Sequence, residues 1–270
     1  MKSLIAILTI LVIAFQSLNA QQEKRLALVI GNANYDKGAL NNPVNDALLM
    51  EKTLKYLDFD VILDTNISTL QDFNKTVLQF GEKRGDYEVA FIYYAGHGVQ
   101  INNTNYLLAT KESYESELGV KLNAFSVQQI MTILTNKTNQ VNVLILDACR
   151  DNPFEQNWNP QARSTDGGRG LAKIPAPTGS LIAYSTDAGN TAADGDGTNS
   201  IYCLSLTKNM QIENTTLDQV FRNVRTDVLK ASGGSQRPVE ASQLTGDAFY
   251  LKKGTFSNEI ILIDSLIEVK

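Results

Sequence analysis

The chain has a single histidine and two cysteines among its 270 residues. The histidine and one of the cysteines close two similar runs. His97 ends Phe91-Ile-Tyr-Tyr-Ala-Gly-His97-Gly98, and Cys149 ends Val143-Leu-Ile-Leu-Asp147-Ala-Cys149-Arg150. A thiol is a poor nucleophile until it loses its proton, and an imidazole within reach either takes that proton or, as imidazolium, stabilises the thiolate. The chemistry on offer is acyl transfer through a thioester. Since there is one histidine, any Cys/His catalysis in this chain must use His97. The glycines on either side of it let a substrate backbone come close, and the amides of Gly98 and Cys149 are natural donors to a developing oxyanion. Alone, a histidine after a strand is more often structural and a cysteine closing an apolar run more often inert packing. The specific signal is the two together, on strand ends 52 residues apart.

Strands must deliver these groups. Apolar runs at Arg25–Gly31, Phe59–Leu63, Glu88–Ala95, Val141–Leu146 and Ser180–Tyr184 read as strands, with a last one near Ala248–Leu251. Helical spacing marks Pro43–Leu57, Leu70–Phe80, Ser126–Leu134, Ile201–Met210 and Leu217–Lys230. Val99–Leu108 reads as a hairpin turned at Asn102-Asn103. Strands alternating with helices predict one α/β domain, a three-layer sandwich with a mostly parallel sheet. In such sheets the chemistry gathers at the carboxyl edge. Two stretches without periodicity, 150–178 and 187–199, follow the fourth and fifth strands directly and read as loops beside the site. The apolar run Ile260–Ile263 could add an edge strand.

A hydrophobic content of 43% suffices for a large buried core, and a net charge of -5 makes nucleic acid an unexpected partner. Residues 1–20 read as a secretory signal peptide: Lys2, an apolar stretch from Leu4 to Phe15, and Ser17-Leu-Asn-Ala20 as the cleavage region. A membrane anchor is the weaker alternative, because the apolar stretch is short for a bilayer span. The expected organisation is a leader (1–20), a catalytic domain (21–254) and a tail (255–270). The expected product is secreted or periplasmic, with no stable membrane anchor after the leader is removed. Export would permit a Cys149–Cys203 disulfide, although Cys203 at a helix start reads as a small buried thiol.

Longer motifs carry a resemblance. Asp147-Ala-Cys149-Arg-Asp151 with a histidine about 50 residues upstream resembles the caspase nucleophile segment. Gly31-Asn-Ala-Asn-Tyr35, Leu57-Asp-Phe59, Tyr93-Tyr-Ala-Gly-His97-Gly98 and Leu146-Asp-Ala-Cys149-Arg150 resemble the core motifs of paracaspases, metacaspases and bacterial caspase-like proteins of peptidase family C14. Gly168-Arg-Gly-Leu-Ala172, Leu181-Ile-Ala-Tyr184, Asp194-Gly-Asp-Gly-Thr-Asn-Ser200, Phe221-Arg-Asn-Val-Arg225 and Gln236-Arg-Pro extend the similarity over Arg25 to Leu251. The resemblance implies a caspase-like sandwich around a mostly parallel six-stranded sheet, and a cysteine endopeptidase with a Cys149/His97 dyad.

It also bears on specificity. Caspases that cut after aspartate carry glutamine two residues before the nucleophile, where this chain has Asp147. Metacaspases and paracaspases, which cut after arginine or lysine, are similar to it there. Carried over residue by residue, Asp46, Asp147 and Asp194 would wall the first specificity pocket (S1), and carboxylates suit a guanidinium, which they can hold bidentately. The implied substrates are peptides or proteins with a basic residue at the cleavage site. Each acid has another reading: Asp46 as a helix-dipole partner, Asp147 as a loop tether, Asp194 as a turn residue. Arg150, Arg163, Arg169 and Lys173 are then candidates for self-cleavage, or simply a basic surface loop. No cofactor is expected. The Asp194-Gly-Asp196 pattern hints at the calcium that many metacaspases need, but the twelfth position of such a loop is Ser205 rather than glutamate. The competing readings are a catalytically silent caspase-like scaffold and another Arg- or Lys-specific cysteine hydrolase of the gingipain or legumain type.

Overall fold

The computed structural model describes residues 23–135, 140–149, 171–187 and 197–254, with Cys149 described by its backbone alone. The leader, the tail, Asp194, Arg150, Arg163 and Arg169 lie outside the described residues.

Strand β1 (Arg25–Gly31) is buried on both faces, as its unbroken apolar sequence requires of a central parallel strand. Helix α1 (Pro43–Tyr56) follows, with Pro43 in its first turn, where a missing N–H costs nothing. It returns to β2 (Phe59–Thr65), and α2 (Leu70–Arg84) then crosses to β3 (Val89–Ile101) on the other side of β1. Right-handed crossovers running in opposite directions from a central strand put their helices on opposite faces. Accordingly α1 packs in the core with Ala27, Val29, Phe91 and Tyr93, and α2 in the core with Leu26, Leu28, Ile92 and Tyr94. The chain continues through β4 (Thr104–Leu107), α3 (Glu117–Asn123), β5 (Phe125–Ser126), α4 (Val127–Leu134), β6 (Val141–Cys149), β7 (Ser180–Tyr184), α5 (Ile201–Met210), α6 (Leu217–Ala231) and β8 (Val239–Ser242).

The sheet runs β2-β1-β3-β6-β7-β8, parallel except for β8, with α1, α5 and α6 on one face and α2 and α4 on the other. This is the expected six-stranded sandwich. At Asn102 and Asn103 φ is 49° and 62°, the two positive values that a two-residue hairpin needs, and β4 folds back on β3 as the sequence predicts.

Two expectations are corrected. The third strand does not stop at Ala95 but runs through His97 to Ile101, because the hairpin partner β4 extends its ladder beyond the parallel sheet. The last strand is Val239–Ser242, an edge strand whose side chains are only partly buried and so show weak alternation. In Ala248–Leu251, Tyr250 forms an isolated bridge to Thr216 instead. Among the described residues no helix is long and apolar enough to cross a membrane.

Candidate active site

β3 and β6 are neighbours in parallel register, and the last registered pair is His97 with Cys149. Adjacent strands lie about 4.8 Å apart, so residues 52 apart in sequence become backbone neighbours at the carboxyl edge of the sheet.

His97 is 4% exposed and held from every side. Its N–H donates to the Tyr35 hydroxyl (2.9 Å), and its carbonyl accepts from the Tyr94 hydroxyl (2.6 Å) and from Leu108 N–H (3.1 Å). The Tyr35 ring lies against the imidazole at 4.5 Å between centroids. Nε2 stands 2.6 Å from the Gly38 carbonyl oxygen. A carbonyl can only accept, so in the neutral ring Nε2 carries the proton and Nδ1 the basic lone pair. The loop that supplies Tyr35 and Gly38 is fixed in turn. Asn66 Oδ1 accepts from the amides of Ala33 and Asn34, while buried Asn32 accepts from Ile67 N–H and donates to the Leu108 carbonyl.

Gly96 and Gly31 are needed for this geometry. Gly96 has φ of +152°, and a Cβ there would lie 2.7 Å from the Tyr35 hydroxyl and 2.8 Å from that of Tyr94. At Gly31 a Cβ would sit 2.3 Å from the Pro43 carbonyl oxygen, so glycine is what lets the start of α1 close onto β1. That approach brings Asp46 to the edge.

Asp46 and Asp147 share one buried network. Asp46 is 1% exposed, and its Oδ1 accepts from Asn199 Nδ2 (2.9 Å) and Ser200 N–H (3.0 Å). Asp147 is 7% exposed, and its Oδ2 accepts from the hydroxyls of Tyr93 (2.8 Å) and Ser200 (3.0 Å). Asp46, in the first turn of α1, thus reaches across to the start of α5. Asp147 ties β6 to β3 and to the start of α5. Burial first, and then the neighbouring Asp46 charge, push the Asp147 carboxyl up to about 7, against donation from Tyr93 and Ser200. Burial also raises Asp46, opposed by Asn199 and Ser200. Among the described residues no lysine or arginine forms an ion pair with either acid.

Behind Asp46, Cys203 is buried and free, its thiol pushed well above its usual range chiefly by burial. Lys173 is exposed, but its neighbours are anchored: Asn105 donates to the Ala172 carbonyl and accepts from its N–H (both 2.7 Å), and Ile174 N–H donates to the Tyr184 hydroxyl. Entry of Lys173 into a protease cleft would break these contacts, which disfavours it as a cut site. A Cβ at Gly98 would lie 2.9 Å from Leu171 Cδ2, so this strap packs directly under the strand end. Among the described residues no group of three or more His, Cys, Asp and Glu side chains is placed to hold a metal ion.

Sequence reasoning named the acids and the dyad but gave no role to Tyr35, Gly38, Tyr93, Asn199 or Ser200. Tyr35 and Ser200 ended motifs already in view, and a tyrosine in a buried strand needs a partner for its hydroxyl. The Gly38 carbonyl left no side-chain signal.

The caspase domain model of peptidase family C14 matches residues 24–249. The chain belongs to the caspase-domain family. Its fold agrees: the Drosophila initiator caspase Dronc superposes with a TM-score of 0.62 at 15% identity, covering 86% of this chain and 85% of that one. Caspase-1 from Spodoptera frugiperda gives 0.63 at 17% identity, covering 86% and 91%. In sequence, the human mucosa-associated lymphoid tissue lymphoma translocation protein 1 is 31% identical over 131 residues, and its mouse homologue 29% over 129. Those alignments cover 47% of this caspase domain chain but only 15% of either relative's length.

Proposed function

We propose that this caspase-domain protein is an exported cysteine endopeptidase that cleaves after arginine, less readily after lysine. The observation that carries the specificity is the Asp46–Asp147 pair, two buried carboxylates with no cation bound to either among the described residues. Burying two like charges is costly unless a cation joins them. A substrate guanidinium would be that cation, with fork geometry suited to two acceptors. The likeness to paracaspases and metacaspases supports the same choice, and Asp194 is the third proposed wall.

In this mechanism His97 Nδ1 accepts the Cys149 thiol proton while Nε2 donates to the Gly38 carbonyl. The thiolate forms a C–S bond to the scissile carbonyl carbon, and the carbonyl electron pair moves to oxygen, facing the amides of Gly98 and Cys149. Collapse breaks the C–N bond, the imidazolium gives its proton to the leaving amine, and a thioester remains. Water, losing a proton to His97, adds to the thioester, and the carboxylic acid product leaves as the thiol is restored. No cofactor enters these steps. Arg150, Arg163 and Arg169 are the proposed sites of any self-cleavage.

The test is hydrolysis of fluorogenic peptides ending in Arg, Lys or Asp by the mature protein and by Cys149→Ala. Cleavage in the order Arg, then Lys, with Asp inert and a loss of roughly 10³-fold or more in Cys149→Ala, is expected. Cleavage only after Asp overturns the pocket, and activity that survives Cys149→Ala overturns the mechanism.

A further inference from the structure

Ser200 opens α5 as its N-cap, its hydroxyl oxygen accepting from Cys203 N–H at 3.0 Å. Capping itself needs only this acceptor role of the side chain. Here the hydroxyl proton is also used, donated to Asp147 Oδ2 at 3.0 Å, and the Ser200 amide donates to Asp46 Oδ1 at 3.0 Å. Among the described residues Ser200 is the residue that hydrogen-bonds both acids, one on α1 and the other on β6. Tyr93 holds only Asp147, and Asn199 holds only Asp46. Like charges left to themselves move apart. Ser200 works against that separation from a rigid point, since it is 6% exposed and its backbone begins a ten-residue helix.

We propose that Ser200 is a specificity-determining positioning residue, whose amide and hydroxyl together hold Asp46 and Asp147 at a separation where one guanidinium engages both. The proposal rests on the arginine-pocket reading above. The guanidinium fork needs two acceptors in fixed relation, whereas the lysine ammonium is a point charge that tolerates a looser pair. Ser200 therefore sets the preference for Arg over Lys as well as affinity for either. It does not touch the reacting atoms, so its effect falls on KM and not on kcat.

Three substitutions separate this role from ordinary capping. Ser200→Ala removes the hydroxyl, while Ser200→Thr keeps it. Thr216→Ala removes the corresponding N-cap contact of α6, in which the Thr216 hydroxyl accepts from Gln219 N–H. A hydrogen bond to a buried charge is lost in Ser200→Ala, so KM for Arg peptides should rise about tenfold or more, with kcat within roughly twofold. The Arg-to-Lys ratio of kcat/KM should fall, and Ser200→Thr should restore both. Thr216→Ala should lower Tm without changing either. If Ser200→Ala folds poorly, Ser200→Gly is used instead, because glycine is tolerated at helix starts.

A binding measurement, calorimetric titration of benzamidine into the Cys149→Ala protein with and without Ser200→Ala, separates the two possible failures. Weaker binding in the double variant supports the proposal. Binding unchanged by Ser200→Ala, or an unchanged Arg-to-Lys ratio, overturns the role of Ser200 and leaves the pocket standing. Absence of benzamidine binding to Cys149→Ala itself overturns the pocket, and the Ser200 proposal with it.

Discussion

A buried charge lies near each end of strand β6, and the two behave differently. Near the amino end, Arg84 of α2 is 4% exposed and donates to the Asn142 side chain (2.7 Å) and the Tyr87 carbonyl (2.5 Å). Five residues along the strand, Asp147 is 7% exposed beside Asp46. Burial lowers Arg84 to about 10, with Glu88 offsetting part of the shift, so the guanidinium stays charged at neutral pH. Burial raises Asp147 to about 7, in the middle of the physiological range. The cation is matched to neutral acceptors that never leave, which makes it a structural pin between α2 and β6. Among the described residues the anion pair is matched only to neutral donors and has no cation, which makes it receptive. Buried charge alone does not mark a functional site. What marks it is a like-charged neighbour and, among the described residues, no counterion.

The largest expected contrast comes from neutralising each charge. Asp147→Asn should reduce kcat/KM for Arg peptides by about 10²–10³-fold, since it removes one of two buried charges that grip the substrate. Arg84→Met should leave kcat/KM of the folded enzyme near wild type. It should instead lower stability by about 2–3 kcal/mol in denaturant titration, because Asn142 Oδ1 and the Tyr87 carbonyl lose their donor. If both substitutions act on activity, or neither does, the contrast fails.

A second contrast lies in pH. The folded chain binds the Asp147 proton more tightly than the unfolded chain, whose value is near 3.8. The wild type is then penalised increasingly as pH rises from about 4 to about 7, and the penalty is complete above that. The Tm of Asp147→Asn relative to wild type should therefore climb through this window and level off. Over the same range KM for Arg peptides should fall as pH rises, because the ionised pair is the form that binds. Asp46 titrates with Asp147, while Tyr93, Tyr202 and Cys203, which surround them, are all raised well above their usual values and stay neutral throughout. Arg84, lowered from 12.5 to about 10, keeps its proton in both states below about pH 9. The Tm offset of Arg84→Met should accordingly be flat from pH 4 to 9, and a sloping offset would contradict the static role.

The smallest effect is expected at Tyr35→Phe, which removes the acceptor of His97 N–H but keeps the ring against the imidazole. A loss of about tenfold in kcat with little change in KM is the expected steady-state result. A change in KM alone would place Tyr35 in substrate binding instead.

How far these features were legible depends on the kind of signal each one left. The runs ending at His97 and Cys149 are continuous apolar strands, and their type could be read because parallel strands are buried on both faces. Asp46 and Asp147 could be named from motif likeness, but their alternative roles as dipole partner and loop tether stayed open. The structure added their partners: Asn199 and Ser200 donate to Asp46, and Tyr93 and Ser200 to Asp147. Strand β8 escaped because an edge strand with mixed burial has little period-2 contrast. Ala248–Leu251 misled because an apolar run can pack without joining a ladder.

By itself, then, the sequence determined the alternation of strands and helices, the hairpin at Asn102-Asn103, and a single histidine on which any thiol chemistry must depend. These are local properties, written in apolar periodicity, turn-forming residues and residue counts. Only the tertiary structure decided that His97 and Cys149 are registered partners, that the Gly38 carbonyl selects the imidazole tautomer, and that Ser200 ties together acids 101 residues apart in the chain. Strand order and helix placement set those relations, and they come from burying both faces of the sheet at once, a condition on the whole chain that no single segment records.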